Sequence, residues 1–240
     1  MDVSGAVVLI TGAGGGIGRA ATQAFVDAGA AKVYAATRVH GADGAFMHDR
    51  VEAVHLDLTD QASIAAAAAR CGDVTVLVNN AGINNNGPIL GAPDPDWARR
   101  EIEVNYLGTL DVMRAFAPIL GANGGGAMVN VLSILSRINH PGMGSYCASK
   151  AALYSATQAV RAQLRGQGTF VCAFMPGAVD TRLTAHLPIP KMTTDETAAA
   201  LIAALTAEVE DAYPGDMASG VSAGLAADHK AVEAQFAEFI

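Results

Sequence analysis

The chain of 240 residues carries 15 lysines and arginines against 23 acids, a formal charge of −8, and 51% of it is apolar while only 16% is charged. Such a composition buries a substantial core, which excludes disorder, and its scattered basic residues form no positive stripe for a phosphate backbone, which excludes nucleic acid. No apolar run reaches the roughly 18 residues of a membrane-spanning helix, so no membrane partner is expected.

In chain order, short apolar and β-branched runs predict strands over residues 6–11, 32–37, 52–56, 74–79, 127–132 and 169–174. Helical composition and spacing predict helices over 17–28, 61–70, 96–120 and 149–166. The alanine run at 64–69 belongs to the second of these, alanine being the best helix former. The connection over 38–51 is short and contains glycine, so the covering helix expected there is stunted. From Thr193 the tail reads as a helix to about residue 208, an irregular stretch through Tyr213, Pro214 and Gly215, and an amphipathic helix over 228–239. Strands alternating with helices, with no linker or repeat, give an α/β fold: a single domain over 1–240 with a doubly wound (Rossmann) parallel sheet and helices on both faces.

Met1 leads almost at once into an apolar stretch with no basic segment or cleavage site, and Cys71, Cys147 and Cys172 are odd in number and far apart. A cytoplasmic, reducing location without a disulfide framework is therefore expected. His40, His48, His55 and His140 lack metal-ligand spacing, so no metal is expected, and Trp97 reads as an anchor at a helix start.

After the first strand comes Thr11, then Gly12-Ala13-Gly14-Gly15-Gly16-Ile17-Gly18, where a helix begins. Glycines there let the backbone turn sharply and approach a pyrophosphate, while the helix N-terminus offers unpaired N–H groups and a partial positive charge. A glycine string alone is only a flexible turn; between a strand and a helix it points to a dinucleotide site. The second strand ends Ala36-Thr37-Arg38, without the acid that would bind the ribose of NAD. Arg38 can pair with a 2′-phosphate and stack on adenine, which favours NADP(H), a solvated loop residue being the alternative.

Tyr146 and Lys150 stand four residues apart, hence on one face if that segment is helical. A cation close to a phenol favours the phenolate, so the pair could exchange a proton with an alcohol or carbonyl oxygen near neutral pH. Tyr-x-x-x-Lys by itself is common as a surface pair. Its companion is Ser133, which closes the fifth strand at its carboxyl end, where doubly wound sheets hold their ligands.

With these motifs in this order, the chain from residue 6 to about residue 181 resembles the short-chain dehydrogenase/reductase family. The resemblance is carried by the Thr11–Gly18 loop, Asp57 after the third strand, Asn79-Asn80-Ala81-Gly82, Asn105, Ser133, Tyr146 with Lys150, and Pro176-Gly177 leading through Val179 to Thr181. It implies Tyr146 as general acid in reduction and general base in oxidation, and Ser133 as hydrogen-bond partner of the substrate oxygen. Lys150 is implied to bind the nicotinamide ribose and lower the phenol pKa, and Asn105 to hold a water in the proton relay. Asp57 and Leu58 are implied at the adenine, Asn80, Ala81 and Gly82 at the adenosine side, and the stretch from Gly177 to Thr181 at the nicotinamide carboxamide. Ser136 rivals Ser133, but the family places its serine 13 residues before the tyrosine, which is the separation of Ser133 and Tyr146.

Many members end in a glycine-rich strand closing with Asp-Gly-Gly, whereas this chain has Tyr213-Pro214-Gly215-Asp216 and a final helix. The implied homodimer or homotetramer therefore rests on the helix carrying Tyr146 and on the 96–120 helix. The stretch 182–192 is short where relatives carry a longer lid, which implies an open pocket for bulky or varied carbonyl compounds. Leu135, Met143 and Leu183 are its expected walls, and Asn84-Asn85-Asn86-Gly87 a bordering loop. The expected activity is NADP(H)-dependent hydride transfer to or from a small-molecule ketone, aldehyde or secondary alcohol. The alternatives are an NAD-preferring alcohol dehydrogenase and a non-catalytic NADP-sensing regulator, the latter having no need of Ser133, Tyr146 and Lys150 together.

Overall fold

A computed structural model describes residues 1–38 and 48–239. His40 and most of the 38–51 connection, where a stunted helix is expected, lie outside the described residues. Seven parallel strands form one sheet in the order β3-β2-β1-β4-β5-β6-β7. They are β1 (Val7–Thr11), β2 (Lys32–Thr37), β3 (Val51–His55), β4 (Val76–Asn79), β5 (Ala127–Val131), β6 (Phe170–Phe174) and β7 (Asp211–Ala212). The order reverses between β1 and β4, and the crevice outside the carboxyl ends at such a reversal is where sheets of this kind take ligands.

Successive residues of a strand point to opposite faces, and here both faces are covered. Val8, Ile10, Val33, Val78 and Phe174 enter one core with Phe25 of α1 (Gly16–Asp27) and Leu201 and Leu205 of α6 (Thr194–Thr206). Leu9, Tyr34, Leu77 and Met128 enter the other, against Ile64 of α2 (Gln61–Arg70), Phe116 of α4 (Thr109–Ala122) and Leu153 of α5 (Gly144–Leu164). One polar tie crosses this second core. Asn79 and Asn130 face each other across β4 and β5, Asn79 Nδ2 donates to Asn130 Oδ1 at 2.8 Å, and Asn130 Nδ2 donates to Thr157 Oγ1 of α5 at 2.9 Å.

Three predicted elements are corrected. The helix expected over 96–120 is α3 (Trp97–Ile102), a π-helical turn (Glu103–Gly108) and then α4. Inserted π turns gather at functional sites, and this one carries Asn105 while Gly108 lies flat on Leu58, where a Cβ would stand 2.4 Å from the Leu58 carbonyl oxygen. The helix expected from residue 149 starts at Gly144, led in by a 3₁₀ turn (Pro141–Met143) that His140 caps by accepting the Gly142 N–H at Nδ1, 3.1 Å away. The tail contains a seventh strand and a helix, α7 (Gly215–Ala227), ahead of α8 (His229–Phe236).

The α7 and α8 pair is fastened to the connection between Ser133 and Tyr146. Leu225 and Val232 pack on Ile138, with Leu135 and Phe236 alongside, and the Phe239 ring stacks on His140 at 5.3 Å between centroids. Among the described residues no helix is long and apolar enough to cross a membrane, and no group of His, Cys, Asp or Glu is placed to hold a metal. Cys71, Cys147 and Cys172 are free and buried, and burial pushes their thiols up to about 12, 11 and 12 respectively, which makes them poor nucleophiles near neutral pH.

Candidate active site

The glycine loop joins β1 to α1 at the reversal of strand order. Gly12 takes φ 66°, and a Cβ there would lie 2.8 Å from the Ala81 Cα; at Gly18 a Cβ would lie 2.3 Å from the Gly12 carbonyl oxygen. No L side chain fits either place without moving backbone. Gly14, Gly15 and Gly16 are exposed, no side chain caps the first turn of α1 and no acid stands in it, so its partial positive charge and free N–H groups are open to an anion. Ile17, in that first turn, is half-buried.

Thr11 and Asn80 lock the loop to the end of β4. Thr11 Oγ1 accepts the N–H groups of Asn80 and Ala81 at 3.0 and 3.1 Å, while Asn80 Nδ2 donates to the carbonyls of Thr11 and Gly12 at 2.9 and 3.2 Å. The Asn80 amide group thus shapes the loop itself. At the other side Thr37 is buried against Gly14, and Arg38 is exposed immediately beyond it. Asp57 accepts from the Thr59 N–H and hydroxyl, and these bonds, aided by the charges of Arg38 and His55, hold its carboxyl below the usual carboxylate range. Leu58 is 9% exposed and packs inward on Gly108, so only its backbone is left to meet an adenine.

A further part of the site is the segment after β6. Pro176 is buried and its carbonyl accepts the Ile134 N–H at 2.9 Å, which ties it to the residue after Ser133. Gly177 lies under the Met217 side chain, Val179 bridges to Met192, and Thr181 crosses to Gly16. Contacts of Thr37 with Gly14, of Thr181 with Gly16 and of the Pro176 carbonyl with Ile134 gather the end of β2 and this segment around the glycine loop and its anion-accepting helix end, as a bound dinucleotide would require. The residues fit such a cofactor.

Tyr146 and Lys150 share a face of α5. Tyr146 lies close enough to Ser133, 7% exposed at the end of β5, for the serine to act on its phenol. Lys150, 4% exposed, donates from Nζ to the Val131 carbonyl at 2.9 Å and stands 5.9 Å from the Tyr146 ring centroid. Gly82 passes so close that a Cβ would lie 3.4 Å from Nζ. Burial lowers the Lys150 ammonium to about 8. Burial also raises the Tyr146 phenol well above its ordinary value; the nearby Cys147 and Glu101 add to this, and Ser133 acts against it. Desolvation, rather than the lysine, dominates that phenol, which therefore keeps its proton through neutral pH. Ser136 is not placed on Tyr146: its hydroxyl donates to the Ser133 carbonyl.

Asn105 is buried, and its side chain works as a brace: Oδ1 accepts the Ile83 N–H and Nδ2 donates to the Ile83 carbonyl, both at 2.8 Å, and Nδ2 reaches Ser149 Oγ at 2.9 Å. The Ser149 hydroxyl in turn donates to the Tyr146 carbonyl at 2.7 Å. Around the mouth, Asn84 Nδ2 approaches Met143 Sδ at 3.2 Å and Asn86 Nδ2 approaches the Leu183 carbonyl at 3.4 Å. Asn86 has φ 54°, and its buried Oδ1 has no partner among the described residues. Trp97 covers Gly87, and Leu183, Ile189 and Met217 are each 40% exposed. Glu101, 1% exposed, is the residue that sequence reading misses. The one available signal is its place four residues before Asn105, on a helix whose neighbouring charges are solvated.

The sequence model of the short chain dehydrogenases matches residues 6–190. The chain is 36% identical over 199 residues to a short chain dehydrogenase of Monascus purpureus, covering 77% of this chain and 68% of that protein. It is 37% identical over 187 residues to a sorbitol dehydrogenase of Cereibacter sphaeroides, covering 75% and 73%. Among solved structures, a short chain dehydrogenase from Burkholderia cenocepacia in complex with NADP superposes with a TM-score of 0.94 at 42% identity, over 98% of this chain and 99% of that one. A 3-ketoacyl-(acyl-carrier-protein) reductase from Brucella melitensis complexed with NADH gives a TM-score of 0.80 at 27% identity, over 88% and 96%. Strand order, glycine loop and these likenesses agree, and the chain belongs to the short-chain dehydrogenase family of oxidoreductases.

Proposed function

We propose that the protein is an NADP(H)-dependent oxidoreductase acting on a ketone or aldehyde, or the corresponding alcohol, with Tyr146 as the proton-transferring residue. The observation that carries this reading is the grouping of Tyr146 and Lys150 on one face of α5 with Ser133 at the carboxyl end of β5, beside an anion-accepting glycine loop. The nicotinamide supplies or accepts the hydride. Ser133 holds the substrate oxygen, Tyr146 gives it a proton in reduction or takes one in oxidation, and Lys150 would bind a ribose hydroxyl of the cofactor. Asn105 fixes the separation of the 83–87 loop from α5. NADP(H) is favoured by Arg38 at the end of β2, and by the NADP held in the Burkholderia relative.

The mouth favours substrates with an apolar body, since Leu183, Met217 and Met143 lie beside residues of the site. A second reading, sugar alcohols, is favoured by the unpartnered Asn86 Oδ1 and by the sorbitol dehydrogenase likeness. A panel of apolar ketones and polyols, assayed with both cofactors, separates the two. Arg38→Asp is expected to reduce the ratio of kcat/KM for NADPH over NADH by about 10²-fold, because a charge-assisted bond is replaced by repulsion. An unchanged ratio would remove Arg38 from the cofactor site.

A further inference from the structure

Among the described residues Glu101 and Lys150 are the only buried acidic or basic side chains. Lys150 belongs to the reaction; Glu101 has no part in it so far. No lysine, arginine or histidine among the described residues forms an ion pair with it. Its oxygens are used instead as acceptors: Oε1 takes the Asn85 N–H at 2.7 Å and Oε2 takes the Ser145 hydroxyl at 2.5 Å.

Four residues later Asn105 repeats the pattern one step along, joining Ile83 to Ser149. The two side chains are parallel rungs from α3 and the π-helical turn, each linking alternate residues of one loop to serines one helical turn apart on α5. Tyr146 directly follows the first serine and Lys150 the second. A glutamine could accept the Asn85 N–H at its oxygen and donate from its amide nitrogen to the Ser145 oxygen, so the need for two contacts alone gives no reason for an acid, whose burial without a cation is unfavourable.

We propose that Glu101 is a positioning residue for proton transfer, holding the first turn of α5 against the 83–87 loop so that the Tyr146 hydroxyl meets the substrate oxygen at Ser133. Its negative charge also biases Tyr146 toward the protonated form, the form that acts as acid in carbonyl reduction. The groups around that phenol are Cys147 and Lys150 on its own helix, Ser133 from the end of β5 and Glu101 from α3. His140, in the preceding turn, reaches Cys147 through its backbone N–H at 3.3 Å. This inference rests on the reading of Tyr146 as proton donor.

The test uses Glu101→Gln, which keeps the Asn85 bond, can replace the Ser145 bond by one of reversed direction, and removes the charge. Tyrosinate absorbance is followed against pH, each protein referenced to its own Tyr146→Phe counterpart, so that the difference reports Tyr146 alone. Ionisation is expected about one pH unit lower in Glu101→Gln, and the alkaline fall in kcat for ketone reduction should move down with it while KM is unchanged. Glu101→Leu, which leaves the Asn85 N–H and the Ser145 hydroxyl without an acceptor, should lower kcat by about 10²-fold with dinucleotide affinity retained. Native kcat in Glu101→Leu, or in Ser145→Ala should the leucine variant not fold, would overturn the positioning role, and a Tyr146 titration and pH profile both unmoved in Glu101→Gln would overturn the influence of its charge. Wild-type protein that turns over no carbonyl or alcohol would instead sink the oxidoreductase reading, and the absorbance titration would still decide the role of Glu101.

Discussion

Tyr146→Phe is expected to lower turnover by about 10²–10⁴-fold, the usual contribution of a general acid, while dinucleotide affinity stays nearly unchanged. The ring remains and only the hydroxyl beside Ser133 is lost, so the α5 surface beside the glycine loop keeps its shape. Burial keeps the native phenol protonated, which suits carbonyl reduction, and two neighbouring hydroxyls are already engaged, Ser136 with the Ser133 carbonyl and Ser149 with the Tyr146 carbonyl. Steady-state kinetics with NADPH and a reactive ketone, together with a fluorescence titration of the cofactor, measure both halves. A variant retaining a tenth or more of native turnover would refute the assignment.

Lys150→Met should separate activity from stability. Activity falls, because the ammonium beside Gly82 and the Tyr146 ring is lost. Stability rises below pH 8, for a reason of sign. The folded state holds the lysine at about 8, whereas an ordinary lysine titrates near 10.5; between those values the unfolded chain binds the extra proton, so native stability climbs with pH across that window and stays at its low level beneath it. At about 1.4 kcal/mol per pH unit the burden below pH 8 is about 3 kcal/mol. Against it stands the Val131 carbonyl, which loses its donor at a cost of about 1–2 kcal/mol. A net gain of about 1–2 kcal/mol corresponds to a Tm increase of roughly 2–8 °C in a chain of this size. Melting of both proteins without dinucleotide, at pH 7 and pH 10, is the measurement. A lower Tm for the variant at pH 7 would mean that the ammonium is better solvated than its burial implies.

The six longer strands and the phosphate loop are legible in the sequence because their cause is local. Valine-rich runs such as Val76-Leu77-Val78 are buried on both faces of the sheet and read as strands without their neighbours. β7 spans two residues and exists only because Phe174 and Ala173 offer it an edge. α7 carries Gly220 and Gly224, poor helix formers, and Gly224 is required by the approach of Val232 from α8, a tertiary reason that no local pattern displays. The π-helical turn escapes notice likewise, since apolar spacing across 96–120 suits one regular helix.

At the site, spacing alone gives Tyr146 with Lys150, and family likeness gives Ser133 and Asn105. Neither reveals that Asn80 braces the glycine loop or that Glu101 is buried, because both facts depend on backbone groups that sequence does not mark. The lowered pKa expected for the phenol is also reversed, for desolvation is a property of the folded pocket.

The two rungs grip the 83–87 loop by main-chain atoms, the Ile83 N–H and carbonyl and the Asn85 N–H. The intervening side chains, Asn84 and Asn86, touch Met143 and the Leu183 carbonyl at the mouth instead. Selectivity and chemistry are thereby wired separately: descendants of this gene could exchange one compound for another by altering those two asparagines, leaving the acid that completes the reaction where it stands.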